Sequence, residues 1–145
     1  EVKLLDLTDS VVQKQIEGLF FLWEKIKGQM RDETETELTA IKRLLAAAKS
    51  LELIPIGIYH EDKLIAFSID ELIQDNFAII HFEKADTNFV GIFQYLKRAT
   101  AKHIDELGAK FINYEQDLGI PGLRQAKQSW NPVGYLKKYT ITKKL

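Results

Sequence analysis

The chain has 145 residues, of which 46% are hydrophobic and 28% charged, as expected for a single folded domain with one hydrophobic core. The absence of cysteine excludes disulfides, a thiol nucleophile and zinc–thiolate or iron–sulfur sites. The net charge of −1 argues against a surface that binds nucleic acid globally, and no apolar run reaches the ~20 residues that cross a bilayer. We therefore expect one domain over residues 1–145 and no transmembrane segment. The missing cysteines do not exclude an oxidising compartment but do not suggest one either, and we expect a cytoplasmic location.

Two amphipathic helices are predicted first. Apolar residues recur at three- and four-residue spacing over residues 10–30 and again over 37–51. A capping-box pattern, beginning at Ser10 for the first helix and at Thr34 for the second, predicts where each helix starts. The polar segment between the helices is predicted to be a solvated connection.

Three short strands are predicted next. Residues 54–59, 64–69 and 77–82 form runs rich in β-branched and aromatic side chains. Polar segments at 60–63 and 74–76 separate these runs. The pattern therefore predicts an antiparallel meander.

Helical spacing returns over residues 91–107, and a further strand is predicted over 110–114. Two strands joined through a single helix pair in parallel by a right-handed crossover. We therefore expect 77–84 and 110–115 to be parallel neighbours in an otherwise antiparallel sheet.

A short helix over 120–129 and a last strand over 135–142 complete the predicted order ααβββαβαβ. The predicted fold class is α+β (α/β), with a mixed, mainly antiparallel sheet flanked by helices. The charge along this order is uneven. Residues 110–145 carry seven basic and two acidic side chains, so that this part has a net charge of +5 and residues 1–109 carry −6.

The loop before the 120–129 helix is the first candidate site. Gly119 and Gly122 bring backbone close to a ligand, and a helix N-terminus presents free N–H groups that attract anions. Arg124 and Lys127 share one face of the helix and can close over a phosphate or carboxylate, while Asp117 can accept a proton from an amine.

A structural interpretation of the same loop stays open. Asp117 can cap the helix, Arg124 can pair with Asp117 or Glu115, and Lys127 can be solvated.

A second candidate site lies where the strand 77–84 ends. Glu83 and Lys84 are there, and Glu115 and Asp117 follow the parallel strand, so that these side chains are expected to line one crevice. A carboxylate in this place can act as a general base, or the acids and the lysine can neutralise one another. The three histidines have no partner at metal-ligand spacing, and we expect no metal site.

The strand–loop–helix block over 112–127, the segment Trp130-Asn-Pro132 and the segment His81-Phe-Glu-Lys-Ala-Asp86 resemble the C-terminal domain shared by bacterial phosphatidylglycerol lysyltransferases and related proteins of unknown function. The resemblance covers essentially the whole chain and implies a GNAT (N-acetyltransferase-like) fold. It also implies transfer of an aminoacyl group from aminoacyl-tRNA to a lipid headgroup, and a tandem arrangement in which this chain is the second unit and any membrane association lies outside it.

Our leading hypothesis from residues and resemblance together is an acyl- or aminoacyl-transfer domain with Glu83 and Asp117 as catalytic residues. An anionic group of an aminoacyl-tRNA, small molecule or lipid headgroup would be bound by the following residues: Arg124, Lys127, Lys84, Asn113, Gly119 and Gly122. The alternative is a non-catalytic module that binds an anion or packs against an absent first GNAT-like unit.

Acetyl-CoA is not expected to bind, and no cofactor is expected to be required. Acetyl-CoA-dependent relatives cradle the pyrophosphate with a glycine-rich loop, whereas residues 86–93 retain only Gly91 and carry the bulky Phe89 and Phe93.

Overall fold

A computed structural model describes the backbone of residues 1–27, 32–74 and 76–143, and the side chains of 1–26, 37–74 and 76–143. The chain divides into two compact units, residues 1–115 and 116–145, and each is described by itself. The predicted helix end at Met30 and the predicted connection residue Asp75 lie outside the described residues. Within the described part, no helix has the length and apolar character that a membrane crossing requires.

The first unit is a mixed sheet with helices on both faces. In chain order its elements are β1 (Val2–Leu4), α1 (Ser10–Lys27), α2 (Asp32–Ala47), a 3₁₀ turn (Ala48–Ser50), β2 (Leu53–His60), β3 (Lys63–Ile73), β4 (Phe77–Ala85), α3 (Ile92–Glu106) and β5 (Phe111–Asn113). The strands lie in sequence order, with β1 to β4 antiparallel and β5 parallel to β4. The predicted fold class, including the parallel pair joined by one helix, is confirmed.

The parallel pairing of β4 with β5 is short. It runs from Phe77 with Phe111 to Ile79 with Asn113, whereas β4 continues to Ala85. The second half of β4 is therefore paired with β3 alone. A side chain of α3, Lys97, contacts this half of β4.

A bulge in β4 decides which side chains face α3. Ile69 pairs with Phe82 but Asp70 pairs with Ile80, so that His81 has no register partner on β3. Ala78 and Ala85 are seven residues apart, and strict alternation would place them on opposite faces. Both nevertheless pack against α3 because the bulge shifts the alternation by one residue.

The two faces of the sheet have separate cores. The core between the sheet and the helices α1 and α2 contains side chains of both helices and of β3, all fully buried: Ile16, Phe20, Ile41, Phe67 and Ile69. Burying one such side chain contributes about 1.5–3 kcal/mol. Under α3 lie apolar side chains of β2, β3 and β4 together with those of the helix: Ile54, Ile56, Ile58, Ile65, Ala66, Ala85, Ile92 and Leu96.

Both predicted helix caps need correction. The first helix is capped by Asp9, whose Oδ1 accepts the N–H of Val11, and not by Ser10. The second helix begins at Asp32, earlier than predicted, so that Glu37 lies inside the helix and its carboxylate bonds a lysine of β4 instead. The side chain of Thr34 lies outside the described residues. The strand β1 was not predicted, because three residues carry too short a pattern to be recognised.

Over its described residues, 116–143, the second unit contains one helix, α4 (Pro121–Gln128). The predicted strand over 135–142 is wrong, since none of these residues is in a strand and Tyr135, Tyr139 and Ile141 are exposed. The alternating pattern is present, but a strand needs a partner for its backbone hydrogen bonds, and the described part of this unit contains no other strand.

Candidate functional site

The face of the sheet covered by α3 carries a cluster of polar side chains, referred to here as the α3-face cluster. Its members come from β3, β4, α3 and the residue that follows β5: Ser68, Asp70, Glu83, Lys97, Thr100 and Tyr114. All six belong to the first unit. They lie where β4 continues beyond its pairing with β5, which is the region in which parallel sheets bind ligands.

Three members of the cluster are fully buried. Ser68 donates a hydrogen bond of 2.8 Å to Oδ2 of Asp70, and its oxygen lies 2.9 Å from Oγ1 of Thr100. Each of the three residues is 0% exposed. Because the hydroxyl proton of Ser68 is directed at Asp70, Thr100 is left as the donor of the second bond. The helix α3 is thus tied to β3 by a polar contact inside an apolar layer.

Glu83 and Lys97 form the ion pair of the cluster. Nζ of Lys97 donates a 2.7 Å hydrogen bond to Oε2 of Glu83, and the two side chains are only about 15% exposed. The same ammonium lies 4.3 Å from the centroid of the Tyr114 ring, which is within cation–π range. A carboxylate and an aromatic face therefore hold the ammonium from two sides.

Two carboxylate oxygens of the cluster are buried without a hydrogen-bond partner, Oδ1 of Asp70 and Oε1 of Glu83. Burial, with the nearby charge of Glu83, raises the pKa of Asp70 to about 7, although the Ser68 hydroxyl and Lys97 oppose the rise. Burial and the same two carboxylates also raise the pKa of Tyr114. An unpaired buried polar atom costs about 1–3 kcal/mol, so such a cluster is a candidate functional site.

Of this cluster, only Glu83 was predicted from the sequence. A usable signal exists, because Ser68 and Asp70 are polar residues at alternate positions of an otherwise apolar strand. Lys97 and Thr100, three residues apart, share a face of α3, but nothing in the sequence indicates that this face meets β3.

Lys84 lies on the opposite face of β4 from Glu83. Its ammonium donates to Oε1 of Glu37 at 2.6 Å and lies 4.3 Å from the Trp23 ring centroid and 5.7 Å from that of Phe20. Lys84 itself is 6% exposed. Consecutive residues of a strand face opposite sides of the sheet. Glu83 and Lys84 therefore do not line one crevice, contrary to the expectation.

Asn113, the remaining predicted site residue of the first unit, has a structural contact. Its Oδ1 accepts the N–H of Glu115 at 2.8 Å and supports the turn at the end of β5.

The second unit holds the other predicted residues. Nε of Arg124 donates to Oδ2 of Asp117 at 2.5 Å, and the N–H of Gly119 donates to Oδ1 at 2.9 Å. These two bonds lower the pKa of Asp117 to about 2. Lys127 donates to the carbonyl of Gln116 at 3.1 Å. The Arg124 side chain is 56% exposed, so it is paired with Asp117 but not enclosed.

Residues 86–93, which precede and begin α3, are held by contacts within the first unit. The carboxylate of Asp86 is buried there and accepts the backbone N–H and the Nδ2–H of Asn88. Phe89 and Phe93 pack against the core under α3. Asp86 also lies 3.7 Å from the ammonium of Lys63, so an acid and two aromatic rings pack this segment against the rest of the first unit.

Metal ligands are not gathered anywhere in the described residues, where no three His, Cys, Asp or Glu side chains come together. His81 pairs with Glu71 at 2.9 Å, the ring of His60 contacts that of Phe89, and Nδ1 of His103 lies 3.8 Å from the carboxylate of Glu106, so all three histidines have structural contacts.

Solved structures with similar folds include proteins of known and unknown function. A conserved protein of unknown function from Bacteroides thetaiotaomicron VPI-5482 is 29% identical over 92% of this chain, with a TM-score of 0.82, and the match spans only 44% of that protein. An aminoglycoside acetyltransferase, meta-AAC0020, from an uncultured soil metagenomic sample, in complex with sisomicin, is 16% identical, with a TM-score of 0.66 over 100% of this chain and 95% of its own.

The PaiA N-acetyltransferase from Thermoplasma acidophilum, in complex with coenzyme A, is 16% identical, with a TM-score of 0.62 over 88% of this chain and 87% of its own. At these identities the two acetyltransferases show the fold alone. No curated protein matches the chain.

The family model described as "Phosphatidylglycerol lysyltransferase, C-terminal" matches residues 13–142. This range includes the α3-face cluster and the loop–helix of the second unit, and it confirms the family that the sequence resembles. The chain therefore belongs to the family of phosphatidylglycerol lysyltransferase C-terminal domains and has the GNAT-like fold of the N-acetyltransferases.

Proposed function

We propose that the chain is an acyl- or aminoacyl-transferase domain whose reaction takes place at the α3-face cluster. The observation that carries this proposal is the buried ion pair of Glu83 and Lys97 beside the end of the β4–β5 pairing, with Oε1 of Glu83 left unpartnered. A carboxylate with a free oxygen can accept a proton from a nucleophile. The family and the acetyltransferase fold support the same class of reaction.

In this reaction the oxygen or nitrogen of an acceptor attacks the carbonyl carbon of an activated ester. Glu83 takes the proton of the attacking hydroxyl or amine as the new bond forms. The ester C–O bond then breaks, and the proton passes to the departing oxygen. Positioning and charge stabilisation supply most of the rate enhancement in such transfers.

The loop–helix of the second unit is proposed to bind an anionic group of the substrate. Arg124 keeps exposed N–H groups although it pairs with Asp117, and Lys127 is nearby in the sequence. Gly119 and Gly122 shape the backbone of this loop, and Asp117 orients Arg124. A phosphate of an aminoacyl-tRNA or of a lipid headgroup has the chemistry that a guanidinium binds well.

Aminoacyl-tRNA is the proposed donor. The buried Asp86 and the aromatic rings of Phe89 and Phe93 disfavour acetyl-CoA, and no metal or other cofactor is needed for attack on an activated ester. The proposal places the chain in the cytoplasm as the second unit of a longer protein.

A non-catalytic packing module is the second candidate function. Val11, Phe21 and Ile26 on α1 are 60%, 53% and 40% exposed, and the similar protein of unknown function is more than twice as long as this chain. These apolar side chains share the exposed side of α1 with Lys14 and Lys25, and exposed apolar side chains grouped on one helix can serve as a docking surface for a further unit.

An assay of aminoacyl transfer by the full-length protein distinguishes the transferase domain from the non-catalytic packing module. Labelled aminoacyl-tRNA is incubated with phosphatidylglycerol vesicles, and label in the lipid fraction is measured for the wild type, Glu83→Gln and Glu106→Gln, which is an exposed control on α3. We expect transfer that Glu83→Gln slows about 100-fold or more and Glu106→Gln leaves unchanged. Absence of transfer, or equal rates for Glu83→Gln and wild type, would contradict the catalytic proposal and favour the module.

A further inference from the structure

Residues 133–142 carry the residue pattern of a β-strand but are not in one. Among the described residues, none after Asn131 forms a backbone–backbone hydrogen bond. The large apolar side chains of the segment are exposed by 72% to 94%: Val133, Tyr135, Leu136, Tyr139 and Ile141. The family model extends to residue 142, so the segment belongs to the domain that the family shares. Its backbone groups and apolar side chains are therefore available to a partner.

The spacing of these side chains indicates which conformation the partner would meet. Four of the five stand at odd-numbered positions: Val133, Tyr135, Tyr139 and Ile141. Residues two apart face the same side of an extended chain, so these four would share one face of a strand. A segment that lies on a membrane surface forms a helix instead, with apolar residues at three- and four-residue spacing. The pattern therefore favours strand pairing over an interfacial helix.

The charge of the segment limits the choice of partner. Residues 133–143 contain Lys137, Lys138 and Lys143 and no acidic residue. Two copies of the segment would repel each other, and an isolated pair of strands is only marginally stable in water. The exposed edge of an existing sheet, in contrast, offers a row of unpaired N–H and C=O groups. Lys137 lies in the middle of the apolar face, where an acidic side chain on the partner strand would neutralise it.

The length of a similar protein indicates where such an edge can be found. The conserved protein from Bacteroides thetaiotaomicron matches 92% of this chain, but the match spans only 44% of that protein. More than half of that protein therefore lies outside the match, which is enough chain for a further domain with a sheet of its own.

We propose that residues 133–142 add as an edge strand to the exposed sheet edge of another unit of the full-length protein, with an acidic side chain of that unit opposite Lys137. The proposal rests on the proposed place of this chain as one unit of a longer protein, but it does not require the transfer reaction. In strand addition, main-chain hydrogen bonds supply affinity and alternate side chains supply specificity. The segment carries both parts of such an interaction.

Hydrogen exchange in the full-length protein, followed by NMR at single amides, tests the proposal. In an edge strand only every second N–H faces the neighbouring strand. We therefore expect every second amide over residues 133–142 to exchange at least about 100-fold more slowly than in an unstructured chain. Exchange at the unstructured rate throughout would overturn the proposal. Protection of consecutive amides, which indicates a helix, or protection that requires phosphatidylglycerol vesicles would overturn it as well.

Lys137→Pro and Lys138→Pro are a matched pair of variants, because each removes one positive charge and one N–H at neighbouring positions. Only one of the two N–H groups belongs to the ladder, so one variant should lose the protection of the segment and the other should keep it. Lys137→Gln and Lys138→Gln keep the N–H and should remain protected. Lys138 also donates a hydrogen bond to Gln116, and Lys138→Gln reports the effect of its loss. Equal protection in the two proline variants would overturn the proposal.

The charge of the partner strand is tested by Lys137→Glu. Like charges directly opposite each other destabilise a strand pair, so the protected amides of Lys137→Glu should exchange about 3–5-fold faster than those of Lys137→Gln. Equal rates would reject an acidic partner. A protected segment in a protein without transfer activity would leave strand addition standing and reject the proposed function. Transfer that depends on Glu83, in a protein whose segment is unprotected, would do the reverse.

Discussion

Replacing Asp70 by asparagine should change the pH dependence of stability in a direction that the structure determines. Asp70 is 0% exposed, and its pKa is raised from 3.8 to about 7. Between pH 3.8 and about pH 7, the folded state therefore keeps a proton on Asp70 that the unfolded state has released. The free energy of unfolding consequently falls as the pH rises through this window. The full difference corresponds to about 4 kcal/mol, of which about 2–3 kcal/mol is lost between pH 5 and pH 8.

Asparagine has the same shape, accepts the Ser68 hydrogen bond through its oxygen and does not titrate. Asp70→Asn should therefore gain about 2–3 kcal/mol relative to the wild type when the pH is raised from 5 to 8. The groups that face Asp70 from β4, α3 and the end of β5 are Glu83, Lys97 and Tyr114, and the variant retains all three.

Urea unfolding of both proteins at a series of pH values measures the difference, with Asp105→Asn on the exposed face of α3 as the control. Asp105→Asn should show no comparable trend. A difference between Asp70→Asn and wild type that stays constant from pH 5 to pH 8 would refute the assignment of a raised pKa to Asp70.

Three further predictions concern other parts of the chain. Lys84→Met should lower the unfolding free energy by about 1–3 kcal/mol, because a buried ion pair loses one partner; urea unfolding measures this, and an unchanged midpoint would contradict it. Gly57→Ala should destabilise by about 1–3 kcal/mol, since the added Cβ would lie 2.5 Å from a leucine methyl, whereas Gly18→Ala, which meets nothing within 4 Å, should be neutral or stabilise α1. Arg124→Ala should raise the pKa of Asp117 from about 2 towards 3.8, measured by NMR titration of the carboxyl carbon; a value that stays near 2 would show that another group holds it.

Patterns that extend over many residues predicted the fold well. The helix predicted over 91–107 is observed as Ile92–Glu106, and the three-strand meander and the parallel strand pair are present. Such elements bury one face, and burial imposes a period that the sequence must show. The strand β1 and the predicted strand over 135–142 show the limit, because strand formation depends on a pairing partner that the residues themselves do not specify.

Predictions about the site were less complete for the same reason. The sequence by itself determined that Glu83 lies near the end of a buried strand, that Arg124 and Asp117 stand seven residues apart at a helix start, and that residues 86–93 contain a single glycine. Each of these follows from local chemistry and spacing.

Only the tertiary structure decided which of these side chains act together. The bulge at His81 shifts the alternation of β4, and the register of β3 with β4 sets Glu83 opposite Ser68 and near Asp70. The packing of α3 then brings Lys97 and Thr100 to the same place. Residues 68, 83, 97 and 114 are far apart in the chain, and their charges interact because folding removes the water between them, which no local pattern can encode.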